Sequence, residues 1–95
     1  MKNQNFSYKH LKNLLEIGHE IEFIFDNVPY SINNLGDDDH PNAWVLSSPD
    51  DNIYLADFDD RKGLFASLDK IIIKEKSIEE IIDQTLYDPS SLTIF

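Results

Sequence analysis

The chain has 95 residues, with 18 acids against 8 bases, a net charge of −10 and no cysteine. That length suits one domain spanning residues 1–95, able to fold without staples. The charge disfavours direct binding to nucleic acid or anionic membranes. The missing thiols remove disulfides, zinc-thiolate sites and cysteine nucleophiles, and fit a reducing, cytoplasmic compartment.

Met1 to Asn5 is polar, carries only Lys2, and leads into no apolar stretch of signal-peptide length. Asn5-Phe6-Ser7 matches the glycosylation acceptor pattern, which is read as chance in a chain without a secretion signal. No run approaches the roughly 18 consecutive apolar residues of a membrane span.

A first helix is expected over Tyr8–Ile17. Ser7 is its N-cap, Phe6 and Leu11 form a hydrophobic staple, and Tyr8, Leu11, Leu14 and Leu15 make the apolar face. Gly18 suits the left-handed residue that closes a helix. Two apolar runs, Glu20–Phe25 and Val28–Asn33, then flank Asp26-Asn27, which predicts a tight hairpin. Closing it there pairs Phe25 with Val28, Phe23 with Tyr30 and Ile21 with Ile32, all on one face. A one-residue slip would scramble that sorting. Pro29 then carries its missing N–H away from the first strand, so the second strand is an edge there or its next neighbour begins later.

Leu35–Asn42 reads as a polar loop. Ala43–Ser47 and Asn52–Asp57 read as a second hairpin around Ser48-Pro-Asp-Asp51. Trp44, Leu46, Ile53 and Leu55 share its one face; Val45, Tyr54 and Ala56 share the other. The alternation of Trp44 with Leu46 favours a core tryptophan over an exposed interface anchor. A second helix is expected from Asp59 or Asp60, with Leu64, Phe65, Leu68 and Ile72 as its buried stripe and Gly63 weakening it. Ile71–Ile73 reads alternatively as a short strand. Ser77-Ile-Glu-Glu80 is a capping box, so a third helix should run from Ile78 to about Leu86, stopped by Pro89. Leu92–Phe95 should dock as a short terminal strand. The fold class is α+β: an N-terminal helix, an antiparallel sheet of about four strands in two hairpins, two C-terminal helices and the terminal strand.

The segments Leu14-Leu15 to Gly18, Ile21–Phe25, Asp26-Asn27, Tyr30-Ser-Ile32 and Lys70–Ile81 resemble a group of small α+β proteins of low-GC Gram-positive bacteria. Those carry a helix, an I-E-F-x-Y strand, an N-G or D-G turn and a Y-S-I strand. Here Asn27 stands for the turn glycine, Glu75 for the glycine before Lys76, and the acidic insert Gly36–Pro41 is additional. The group has no established activity, so the resemblance implies fold and origin alone.

The chemistry is sparse. Asp37, Asp38, Asp39 and His40 are the candidate ligands for a divalent cation, but consecutive residues rarely converge on one ion, and the EF-hand spacing is absent. Asp57-Phe-Asp59-Asp60 begins like that spacing and fails at Arg61 and Lys62. Acid pairs are unavoidable with 18 acids, so carboxylate spacing carries no catalytic information. No serine lies in a nucleophile elbow, and no phosphate-binding glycine loop is present. The expectation is therefore a non-enzymatic interaction protein without cofactor, inhibitor- or immunity-like toward a basic partner. Its candidate contacts are Asp37–Asp39, Asp50, Asp51, Asp57, Asp59 and Asp60. The alternatives are a divalent-metal or small-molecule binding protein using the Asp-rich loop, and a homodimer formed through a sheet edge or the terminal strand.

Overall fold

The computed structural model describes residues 6–95; the polar start and Asn5 of the acceptor pattern lie outside them. The order is α1 (Tyr8–Glu16), β1 (Ile21–Phe25), β2 (Val28–Asn33), β3 (Trp44–Ser48), β4 (Asp51–Ala56), α2 (Arg61–Lys70), β5 (Ile72–Ile73), β6 (Lys76–Ser77), α3 (Ile78–Asp83) and β7 (Asp88–Ile94).

Local chemistry sets α1 as the sequence predicts. The Ser7 hydroxyl accepts the His10 N–H at 3.0 Å, and Tyr8, Leu11 and Leu15 are buried while Leu14 and Phe6 pack against the core. Gly18 adopts φ +99°. The N–H groups of Gly18 and His19 return to the carbonyls of Leu15 and Leu14, at 3.1 and 3.0 Å, closing the helix in a Schellman arrangement. Asp26 and Asn27 take φ 52° and 64°, the left-handed pair of a type I′ turn. The β1–β2 register is the predicted one, Phe25↔Val28, Phe23↔Tyr30 and Ile21↔Ile32. Pairing of β2 with β3 starts at Ser31, so Pro29 precedes the ladder that would need its N–H.

The five-stranded antiparallel sheet has the order β4-β3-β2-β1-β7. One face supplies Ile21, Phe23, Ile32, Trp44, Leu46 and Leu55 to a core shared with Leu11, Leu15, Leu64, Leu68, Ile78, Ile81 and Ile82 from the helices. Trp44 is fully buried, in line with the core reading.

The β3–β4 turn is Ser48-Pro-Asp-Asp51 as expected, and each strand runs one residue further into it, since Ser48 and Asp51 pair across Pro49-Asp50. Four elements depart from the sequence reading. A bulge between the Trp44 and Val45 pairs inserts an extra residue on β4, so Leu55 and Ala56 are both buried instead of alternating. Ile53, nearer the turn, is 38% exposed, beyond the helix cover that reaches Leu55. The second helix stops at Lys70. Ile72 leaves its expected stripe for β5 and is 62% exposed, which realises the strand alternative for this segment.

Lys74 and Glu75, at φ 51° and 72°, make a second type I′ turn into β6. The capping box at Ser77 and Glu80 is present. α3 is shorter than expected: Thr85 at φ 51° ends it, with Thr85 N–H on the Ile82 carbonyl and Leu86 N–H on that of Ile81, at 3.2 and 2.9 Å. Leu86 is therefore outside the helix and 39% exposed. Pro89 lies within β7 rather than acting as the helix stop, on an edge strand where its missing N–H is tolerated. β7 is longer than Leu92–Phe95 and pairs with β1, Ile21↔Ile94 and Glu22↔Thr93, before an irregular stretch to Ile24↔Asp88.

Candidate functional site

The candidate acids fall on loops that the sheet brings together. The loop 36–41 is closed by a Gly36↔Pro41 bridge. A Cβ at Gly36, held at φ +78°, would collide with the His40 carbonyl, so this closure requires glycine. Inside it, the Asp37 carboxylate accepts the Asp39 N–H at 3.0 Å and the His40 N–H at 2.7 Å, and lies 3.1 Å from His40 Nδ1. Partial desolvation works to raise the pKa of Asp37, but the His40 and Asp39 hydrogen bonds outweigh it and hold the carboxyl below its ordinary value.

The loop is fastened to the sheet by one aromatic contact. The His40 ring stacks on Tyr54 of β4, with centroids 4.0 Å apart and planes 28° apart. The Tyr54 hydroxyl donates to Asp57 at 2.8 Å. That hydrogen bond, then desolvation, then the charges of Asp57, Asp60 and Asp37 raise the Tyr54 pKa. Tyr54 thus stands between two acidic segments, the Asp37 loop and Asp57–Asp60.

Beside it, Asp37, Asp38 and Asp39 face Asp50, Asp51 and Asn52 across an open depression of about 470 Å³. The β3–β4 pairing makes this juxtaposition by carrying the Pro49-Asp50 turn back beneath the loop. The other group lies past β4. Asp60 caps α2, its carboxylate accepting the Gly63 N–H at 2.9 Å. A Cβ at Gly63 would run into that carboxylate, so the glycine that weakens the helix interior also makes room for its cap. Arg61, the adjacent cation, turns inward. Its guanidinium lies 5.2 Å from the Trp44 ring and 5.0 Å from Phe58, and its Nε donates to the Leu15 carbonyl at 3.2 Å.

The candidates therefore divide. Asp37, Asp57 and Asp60 accept hydrogen bonds that hold the loop, Tyr54 and the α2 start, whereas of Asp38, Asp39, Asp50, Asp51 and Asp59, all exposed, Asp51 alone accepts one among the described residues, from the adjacent Asn52 N–H. Among the described residues the ion pairs are Lys12–Asp69, His40–Asp37 and Lys74–Asp26, and none involves those five exposed acids. Among the described residues, no group of three or more His, Cys, Asp or Glu is arranged to hold a metal ion, so Asp37, Asp38, Asp39 and His40 stand near one another without converging. Sequence reasoning missed Tyr54 as the organiser. It saw a residue on the outer face of β4, and its spacing of fourteen from His40 has no local signature. Comparison with protein-family models, curated proteins and solved structures finds no match to this chain.

Proposed function

We propose that this chain is a non-enzymatic interaction protein whose acidic loops engage a cationic surface of a protein partner, in the manner of an inhibitor or immunity protein. The observation that carries the reading is the meeting of Asp37–Asp39 with Asp50–Asp51 around one open depression, with Asp38, Asp39, Asp50 and Asp51 unpaired by cations among the described residues. Exposed carboxylates so placed accelerate encounter and select charge more than they add affinity.

The test uses a partner captured at low salt and released at high salt. Replacing Asp38, Asp39, Asp50 and Asp51 by Asn leaves the Asp37 and Asp60 hydrogen bonds untouched. It should lower the association rate about tenfold and flatten its salt dependence, as read by surface plasmon resonance. A partner whose association ignores this variant removes the reading.

A further inference from the structure

The two edges of the sheet are finished differently. At β4, alternation from the Ser48↔Asp51 and Leu46↔Ile53 pairs turns the main-chain groups of Asn52 and Tyr54 outward. That edge is obstructed: the Asp51 carboxylate accepts the Asn52 N–H at 2.9 Å, and the Ser67 hydroxyl occupies the Leu55 carbonyl at 2.7 Å. Acids flank it on both sides, Asp50 and Asp51 before it and Asp57, Asp59 and Asp60 after it. Unpaired charge and occupied edge groups of this kind keep a strand from pairing with its own copy.

β7 is open past its start, where the Asp88 carboxylate accepts the Ser90 N–H at 3.0 Å. Its outer part, Ser90–Phe95, has no charged side chain. The Phe95 N–H donates to the Glu20 carbonyl at 2.9 Å, and the register is Ile21↔Ile94 and Glu22↔Thr93. Alternation therefore points the N–H and C=O of Phe95 and Thr93 at β1, and those of Leu92 and Ile94 away from it. Among the described residues no strand lies beyond β7. Ile94 and Phe95 are 43% and 58% exposed, while Leu92 is partly buried against the core.

We infer that β7 pairs antiparallel with β7 of a second copy about a two-fold axis at Thr93. Leu92 and Ile94 of one copy then exchange hydrogen bonds with Ile94 and Leu92 of the other, and the two Thr93 residues stand opposite each other, a favourable cross-strand pair. Leu92 and Ile94 lie on the helix side of the sheet and meet their counterparts there, continuing the core across the axis. The occupant is a second copy because the Ser90–Ile94 part of this edge carries no charged side chain and is self-complementary in a molecule of net charge −10, Asp88 lying outside the paired segment, and because the edge flanked by Asp50, Asp51, Asp57, Asp59 and Asp60 is at the far side of the sheet. The acid nearest the axis, Glu22 beside Thr93, is separated from its counterpart by about 14 Å, three strand spacings, so salt screens their repulsion.

Sedimentation equilibrium of the full chain up to about 500 µM tests this, since a small interface assembles weakly. The mass should climb from 11.0 kDa toward twice that value, more steeply at high salt, the reverse of the salt response expected for a cationic partner. Ile94→Pro removes an N–H that the monomer does not use and should weaken association at least tenfold, while Ile94→Val should not. Amide exchange of the unmodified protein supplies a reading independent of any variant: the Leu92 and Ile94 N–H groups should slow as concentration rises. A monomeric mass throughout, with unprotected exchange at both amides, overturns the inference. So does association undiminished in a folded Ile94→Pro variant.

Discussion

Single side chains do more structural than chemical work in this molecule. Tyr8 opens α1 with its N–H on the Asp83 carboxylate at 2.7 Å, and its hydroxyl donates to Asp69 at 2.7 Å. Lys12 completes the cluster 2.9 Å from Asp69. Three helices are thereby tied at one point. Burial first, then the Asp69 hydrogen bond and the charges of Asp69, Glu79 and Asp83, push the Tyr8 pKa well above its ordinary 10.0. A pKa raised by folding contributes stability that is complete below the unfolded value and is lost as pH rises toward the folded one. Stability should therefore fall above about pH 10. In Tyr8→Phe that alkaline decline should flatten, at a cost near neutrality of about 1–2 kcal/mol for the lost hydrogen bond to a carboxylate. Urea melts of both proteins between neutral pH and pH 11 measure both effects.

Among the elements, α3 has the clearest defect. It keeps a full capping box at its start but closes on Thr85 at φ 51°, a conformation that β-branched residues resist. The Schellman hydrogen bonds and the burial of Ile81 and Ile82 hold it there. Thr85→Gly should stabilise the fold by about 1 kcal/mol, raising the melting temperature by roughly 4–8 °C; a thermal scan by circular dichroism checks it. The same element explains why its end was misread. Ile78, Ile81 and Ile82 continue in helical spacing to Leu86, so periodicity alone extends the helix, and a threonine carries no signal for a left-handed closure. The β1–β2 hairpin was legible to the register because turn chemistry and alternation agree. The Lys74-Glu75 hairpin was not, since neither residue favours positive φ, and only the flanking strand and capping box force the reversal.

At the scale of the whole molecule, charge and fold are separable. The apolar residues sort into one core between the sheet and the helices, while eight of the eighteen acids, Asp37–Asp39, Asp50, Asp51, Asp57, Asp59 and Asp60, gather in loops at the β4 side and the start of α2. A net charge of −10 on 95 residues costs stability through self-repulsion that salt relieves. A variant with Asp38, Asp39 and Asp50 replaced by Asn should melt a few degrees above the parent near 10 mM salt, corresponding to about 0.5–1 kcal/mol, and the gap should close by about 500 mM. Calorimetry across that salt series decides it.

Composition, alternation and caps were enough to determine the α+β class, the first hairpin with its register, the starts of all three helices and the burial of Trp44. The hairpin and the helix starts depend on residues near in the chain, where turn and cap chemistry act directly, and the side of the sheet that Trp44 takes follows from alternation along its own strand. Only the tertiary structure decided that β7 lies beside β1, that the Asp37–Asp39 loop meets the Asp50–Asp51 turn, and that His40 rests on Tyr54. Each of those is a choice among distant partners, made by which strand edges remain unpaired once the core is buried. No local pattern encodes it.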